Sequence, residues 1–190
     1  MLNAIIATRE SERALVSTLS ALVPAVTAGL LAEVVIADAG TRDATQEVAD
    51  FAGCRYMASD QPLGARLKAA AASTRALWLL FLHAGHVPEP GWVAAVGGFI
   101  EKANRPEGSV RAAVFRPRAA PALTPGFSGM LVALRTAFAG AKPHGGLLIA
   151  RELYDEVGGH PPHDDAEAAL LRRLGRRRIV LLAAGLSQDT

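Results

Sequence analysis

The sequence predicts a doubly wound α/β fold, a mostly parallel sheet with helices on both faces. Three observations carry this. Several short runs, at 2–7, 34–36 and 77–82, are apolar but for Asn3 rather than alternating, which suits strands covered on both sides. Between them lie stretches with apolar residues at helical spacing, as crossover helices require. Glycine and proline turns separate the two kinds of segment.

In order, 2–7 is a buried strand, and Ser11 offers an N-cap for a helix with Ala14, Leu15, Leu19 and Leu22 on one face. Residues 33–38 form a second strand. The turn Ala39-Gly40-Thr41-Arg42-Asp43 closes it and caps a helix through Val48 and Phe51. A weak third strand covers 55–57, a helix 63–72, and the strongly apolar fourth strand 77–82 ends at His83. Pro88 and Pro90 break the chain before a helix over 92–102, and 110–115 is a strand stopped at Pro117. Beyond Pro121 and Pro125 the pattern predicts a helix over 127–138, a loop over 142–146 and a strand over 147–150. A short helix over 152–157 ends at Gly158-Gly159, and Pro161-Pro162 forces an extended loop into His163-Asp164-Asp165. A last helix runs to Leu174 and stops at Gly175, and 179–184 closes the sheet. No internal repeat is present.

The 190 residues, 51% of them hydrophobic, suffice for one sizeable core, so 1–190 reads as a single domain. The apolar runs fall far below the ~18 residues of a membrane span, which predicts a soluble protein. The opening segment meets Arg9, Glu10 and Glu12 at once and lacks a secretory signal's pattern, which predicts a cytoplasmic location. Cys54 is the only cysteine, excluding an internal disulfide and a multi-cysteine zinc site. A net charge of +2 gives no argument for nucleic acid. The basic cluster Arg172, Arg173, Arg176, Arg177 and Arg178 suits a helix C-terminus and solvated surface, with a phosphate contact as the alternative. Oligomeric state is open, and self-association is compatible with the sequence.

In doubly wound sheets ligands bind beyond the carboxyl ends of the strands. Residues 8–10, 38–43 and 83–89 therefore converge on one cleft. No G-x-G-x-x-G or P-loop pattern occurs. Asp38, at a strand end before a glycine turn, suits a base or ribose contact, or capping with Thr41 and Asp43. His83 and His86 flank Ala84-Gly85 at a strand end, placed for a ligand or metal or as satisfied polar residues. Of Asp164 and Asp165, one carboxylate caps the following helix and the other faces the cleft as a general base.

These residues resemble the family-2 glycosyltransferases with a GT-A fold, in particular a short soluble branch found beside radical-SAM and selenium-related genes. The opening Ile5-Ile6-Ala7-Thr8-Arg9-Glu10-Ser11-Glu12 is similar to the family's proline-x-x-asparagine-glutamate segment, with Arg9 in place of the asparagine. The resemblance implies that Thr8 and Glu10 contact nucleotide. Val34 to Thr45 follows the aspartate-x-x-serine-x-aspartate-x-threonine signature, implying that Asp38 contacts the nucleobase while Gly40 and Asp43 shape the turn. Gly64-Ala65-Arg66 follows the glycine-arginine helix and implies an Arg66 contact to diphosphate.

Phe81-Leu82-His83-Ala84-Gly85-His86 lies on the segment whose aspartate belongs to the metal-binding DXD motif. Here that position is Gly85. Mg²⁺ or Mn²⁺ is the implied cofactor, with His83 and His86 as the remaining candidate ligands, although hard cations prefer oxygen. Asp164-Asp165 resembles the motif holding the catalytic base, with Asp165 as base and Asp164 its neighbour. The family also continues past the strand at 179–184 with an arginine-bearing segment that closes over the diphosphate. The implied function is inverting transfer from a nucleotide-diphospho-sugar, with 1–116 as the nucleotide-binding half and 117–190 as the acceptor side. A second reading is a catalytically impaired descendant that binds nucleotide or a protein partner. A third, a nucleotidyltransferase, lacks its glycine-rich, lysine-bearing opening.

Overall fold

The computed structural model describes residues 1–105, 111–117 and 146–189. In chain order the elements are β1 (Leu2–Thr8), α1 (Glu12–Thr27), β2 (Leu31–Asp38), α2 (Thr45–Phe51), β3 (Arg55–Ala58) and α3 (Leu63–Ala72). There follow β4 (Trp78–His83), β5 (His86–Pro88), α4 (Trp92–Ala103), β6 (Ala112–Pro117) and β7 (Leu147–Ala150). The chain ends in α5 (Arg151–Glu156), α6 (Ala166–Leu174), a 3-10 turn over Arg176–Arg178 and β8 (Ile179–Gln188). The helix predicted over 127–138 and the loop at 142–145 lie outside the described residues.

The strands form one sheet in the order β3-β2-β1-β4-β7-β6-β8-β5. Its first half is the parallel sheet the apolar runs predict: β1 lies between β2 and β4, and β2 pairs with β3, all in parallel. Ala4, Ile5, Ile6, Leu79 and Leu80 are completely enclosed, which explains why these strands carry no polar alternation. The second half is mixed. β7 runs antiparallel to β4 and β6, β6 is parallel to β8, and β8 turns back antiparallel along β5.

Two differences from the sequence reading follow from that long-range pairing. The chain around Pro88 is predicted as a break, yet His86–Pro88 is a short strand because Gln188 to Leu186 lie beside it. Proline is tolerated there, at the end of a strand on the sheet's edge. The same pairing extends β8 past Ala184 to Gln188.

On α1 the buried face is Leu15, Thr18, Leu22 and Ala25, whereas Ala14 and Leu19 are half-buried. Ser11 makes no side-chain cap, because its hydroxyl instead donates to the Arg9 carbonyl. Phe51, at the end of α2, is 97% exposed. α3 matches the predicted bounds. Gly64 in its first turn lies against the loop before α6, where its N–H donates to the His163 carbonyl.

The register sets up the site. Thr8 pairs with Asp38 and Ala7 with His83, so the carboxyl ends of β1, β2 and β4 finish level on one edge.

Candidate functional site

Beyond those three strand ends lies a cleft of about 350 Å³ whose lining includes Thr8, Arg9, Leu63, Arg66, His83, Ala84 and Asp164. β1 supplies one wall, the start of α3 another, the end of β4 a third, and the loop before α6 brings in Asp164. Cationic and carboxylate groups thus face one small space.

Asp38 lies beneath this cleft, fully enclosed. One carboxylate oxygen accepts the Thr8 hydroxyl at 2.6 Å, and the other accepts the Thr41 N–H at 2.7 Å. Burial pushes its carboxyl upward, but bonds from the Thr41 N–H and the Thr8, Tyr56 and Thr41 hydroxyls outweigh it and hold the group below its ordinary value. Burial and the neighbouring Asp38 push the Tyr56 hydroxyl up to about 12. Asp38 therefore fixes Thr8 at the cleft's edge and shapes the turn containing Gly40, which takes a φ of +78° that glycine adopts without strain.

The loops after β1 and β2 are fastened to each other by the carboxylates between them. Glu10 has a left-handed backbone, φ +46°, at a cost of roughly 1–2 kcal/mol for a residue with a Cβ. Its N–H donates to the Thr41 hydroxyl at 2.6 Å, and its carboxylate accepts the N–H groups of Arg42 and Asp43 at 3.2 Å each. Asp43 accepts the Thr45 N–H and hydroxyl and the Glu12 N–H. Glu10 and Asp43 are thus both engaged by their own loops.

Arg66 projects from α3 into the cleft wall and is buried. Its guanidinium donates to the carbonyls of Ala37 at 2.5 Å, Gln61 at 3.2 Å and Thr8 at 3.4 Å, tying the ends of β1 and β2 to α3. Burial first, then the positive charge of Arg9, draws its pKa down. By contrast the Arg9 guanidinium makes no hydrogen bond or ion pair with any described residue; its main chain alone is pinned, to Ser11.

At the end of β4 the His83 Nε2 lies 2.9 Å from both carboxylate oxygens of Glu167, on α6. Burial raises the Glu167 carboxyl, but the His83 bond and the electrostatic pull of His83, His160 and His86 hold it lower than usual. His86 faces inward: it is 2% exposed and its Nδ1 accepts the His83 N–H at 3.2 Å. His83 and His86 thus contact each other, but only His83 reaches the cleft.

The two aspartates separate. One Asp164 oxygen accepts the Leu63 N–H at 3.0 Å, so the carboxylate caps α3 rather than the helix that follows it. Neither aspartate makes a side-chain cap on α6. Asp165 stands on the surface, 3.7 Å from Arg172, with 73% of its side chain exposed.

Comparisons with known proteins give the family and the fold. The family model described as glycosyl transferase family 2 matches residues 4–114, more than half of the chain. The chain belongs to glycosyl transferase family 2. No curated protein sequence matches it. Among solved structures, it is similar to glucosyl-3-phosphoglycerate synthase from Mycobacterium tuberculosis in complex with Mn²⁺, UDP and phosphoglyceric acid, at 17% identity and TM-score 0.70, covering all of this chain and 71% of that one. The same enzyme with Mg²⁺ and UDP gives 19% identity and TM-score 0.72, covering 100% and 72%. S. aureus TarS gives 14% identity and TM-score 0.71, covering all of this chain and 36% of TarS. At these identities the likeness shows the fold: an α/β, Rossmann-like GT-A glycosyltransferase domain. Among the described residues no helix is long and apolar enough to cross a membrane.

Of the residues singled out in the sequence, Thr8, Arg66, His83 and Asp164 meet at the family-2 domain's cleft, with Asp38 beneath. Glu10, Gly40 and Asp43 build the adjoining loops, while Asp165 and His86 lie outside. Sequence reasoning passed over Glu167, whose only local signal is its place one helical turn after Asp164. It also passed over His160, completely buried against Tyr154 and Phe81, which follows a double glycine and carries no chemical signature of its own.

Proposed function

We propose that this family-2 domain transfers a glycosyl group from a nucleotide-diphospho-sugar to an acceptor hydroxyl, with inversion, in the cleft at the ends of β1 and β4. The observation that carries the reading is that Arg9 and Asp164 line the same cleft. The two groups suit the two halves of the reaction, a cation for the departing diphosphate and a carboxylate for the incoming hydroxyl. The acceptor oxygen bonds to the anomeric carbon as the carbon–oxygen bond to diphosphate breaks. The diphosphate leaves with the electron pair, and Asp164 takes the hydroxyl proton. Attack opposite the leaving group gives inversion. Asp164 is preferred to Asp165 as base because it lines the cleft and its orientation is fixed by the Leu63 N–H. Asp38 positions Thr8, and Arg66 holds the strand ends together. Cytoplasmic nucleotide-sugars are the donors this reading calls for.

One observation favours a second reading, a descendant that binds a nucleotide without transferring sugar. Gly85 stands where the resemblance puts a metal-binding carboxylate, so a group that would help diphosphate depart is missing while the cleft itself remains.

The test is the thermal midpoint with UDP, GDP and their sugar conjugates. At 100 times its Kd a ligand adds about 2.7 kcal/mol, which raises the midpoint by roughly 5–11 °C for a chain of this length. A nucleotide-selective rise together with release of nucleoside diphosphate from one conjugate is the expected result. A rise without any release favours the binding descendant, and no rise with any compound refutes both readings.

A further inference from the structure

We propose that the cleft holds the diphosphate without a divalent cation, the Arg9 guanidinium serving as its counter-charge. The inference rests on the donor reading above and deepens it.

The similar structures containing UDP contain Mn²⁺ or Mg²⁺ as well, so the residues here must be tested against such an ion. They do not fit it. Position 85, where the resemblance puts a metal carboxylate, is a glycine with φ +90°. A Cβ on it would lie 2.6 Å from the Asp189 carbonyl oxygen and 3.7 Å from the Ala14 Cβ. Main chain that follows β8 therefore stands where a side chain at 85 would have to begin.

That arrangement is tied from several sides. Asp189 donates its N–H to the Gly85 carbonyl at 2.8 Å, and the Gly85 N–H reaches the Ala14 carbonyl at 3.1 Å and the Thr18 hydroxyl at 2.9 Å. The Asp189 carboxylate accepts the Ser17 hydroxyl at 2.6 Å. The histidines offer no substitute. His86 is buried with its Nδ1 on the His83 N–H, and the His83 Nε2 is held by Glu167. Among the described residues no three His, Cys, Asp or Glu side chains stand together; an ion shared with a diphosphate still takes one or two protein carboxylates, and the one carboxylate in the cleft lining, Asp164, already accepts the Leu63 N–H.

A diphosphate still needs compensating charge. Arg9 supplies it: the side chain is exposed, lines the cleft, and has no hydrogen-bonding or ion-pair partner among the described residues. Its main chain is fixed by reciprocal bonds with Ser11 at 3.0 and 2.8 Å. Arg66 lies near enough for the two positive charges to act on each other, and a bound anion relieves that repulsion. A guanidinium also matches phosphate geometry with paired N–H donors.

The experiment is calorimetric titration of the whole chain with UDP, GDP and inorganic pyrophosphate, in EDTA and again with excess Mn²⁺, for the wild type, Arg9→Ala and Arg9→Lys. The expected result is one nucleoside diphosphate binding equally well in both buffers. Binding should weaken roughly tenfold to a hundredfold in Arg9→Ala, the usual worth of a charge-assisted contact, and less in Arg9→Lys. The thermal midpoint of unliganded Arg9→Ala should match the wild type, since the side chain supports nothing in the fold. Binding that appears only with Mn²⁺ overturns the metal-free inference and leaves the donor reading standing. Arg9→Ala binding as tightly as wild type in EDTA overturns the role of Arg9. No binding of any of the three probes in either buffer overturns the donor reading and this inference with it.

Discussion

His160 should make the protein lose stability in mild acid. Its ring is 1% exposed. The Tyr154 hydroxyl accepts the His160 N–H at 3.2 Å and lies 2.9 Å from Nδ1. A hydroxyl that accepts one bond is free to donate its proton to Nδ1, which leaves the ring's own proton on Nε2. Among the described residues that atom is buried without a partner. Burial, reinforced by His83 and opposed by Glu167, depresses its pKa from 6.5 to about 4. Between those values the unfolded chain binds a proton that the folded one refuses, so stability falls as pH drops from about 6.5 to about 4 and is unaffected above. At about 1.4 kcal/mol per pH unit the loss approaches 3 kcal/mol, or roughly 6–12 °C in the midpoint at this chain length. The assay is denaturant unfolding of the wild type and His160→Asn across pH 4–8, asparagine keeping an acceptor for the Tyr154 hydroxyl. The variant should be less stable at pH 8 but should lack this acid-dependent fall. Parallel pH curves for the two proteins would refute the reasoning.

Two further outcomes follow from the packing around the cleft. Gly64→Ala should cost about 3 kcal/mol or more in chemical denaturation, or prevent folding. Its Cβ would overlap the Pro161 carbonyl oxygen and the Ala166 side chain, and a drop below about 1 kcal/mol would mean that α3 and the loop before α6 are less tightly joined than described. Asp38→Ala should cost about 3 kcal/mol at neutral pH, since it leaves the Thr41 N–H and Thr8 hydroxyl without their acceptor. Because the folded carboxyl titrates below its ordinary 3.8, this contribution should be intact above about pH 4 and fade as pH falls through the folded value, a difference readable by comparing acid unfolding of wild type and variant.

The first half of the fold was legible because its signals are local. Ile5, Ile6 and Leu79 to Leu82 are buried on both faces of parallel strands, so the strands read directly as apolar runs, and the strand ends then predicted the edge where Thr8, Asp38 and His83 gather. The pairing of β5 with β8 joins residues 100 positions apart, and nothing around Pro88 announces it. The same limit applies to the site. The sequence put Asp164 at a helix start, but the N–H it accepts belongs to Leu63, on another helix. Glu167 meets His83 across 84 positions, a contact no local pattern encodes. Residue type alone also leaves open which charges are already partnered: Arg66 and Arg9 look equally available in the sequence, yet one is enclosed by carbonyls and the other faces open space.

The central claim is that a nucleotide-sugar occupies the cleft at the ends of β1 and β4. Amide hydrogen exchange of the whole chain, with and without saturating UDP or GDP, tests it most directly because it reports location. The account predicts slowed exchange or altered protection confined to residues 8–11, 63–66 and 83–85. Protection centred elsewhere, such as on the apolar groove where Val16, Val23 and Phe51 lie between α1 and α2, or no change under either nucleotide, would contradict it.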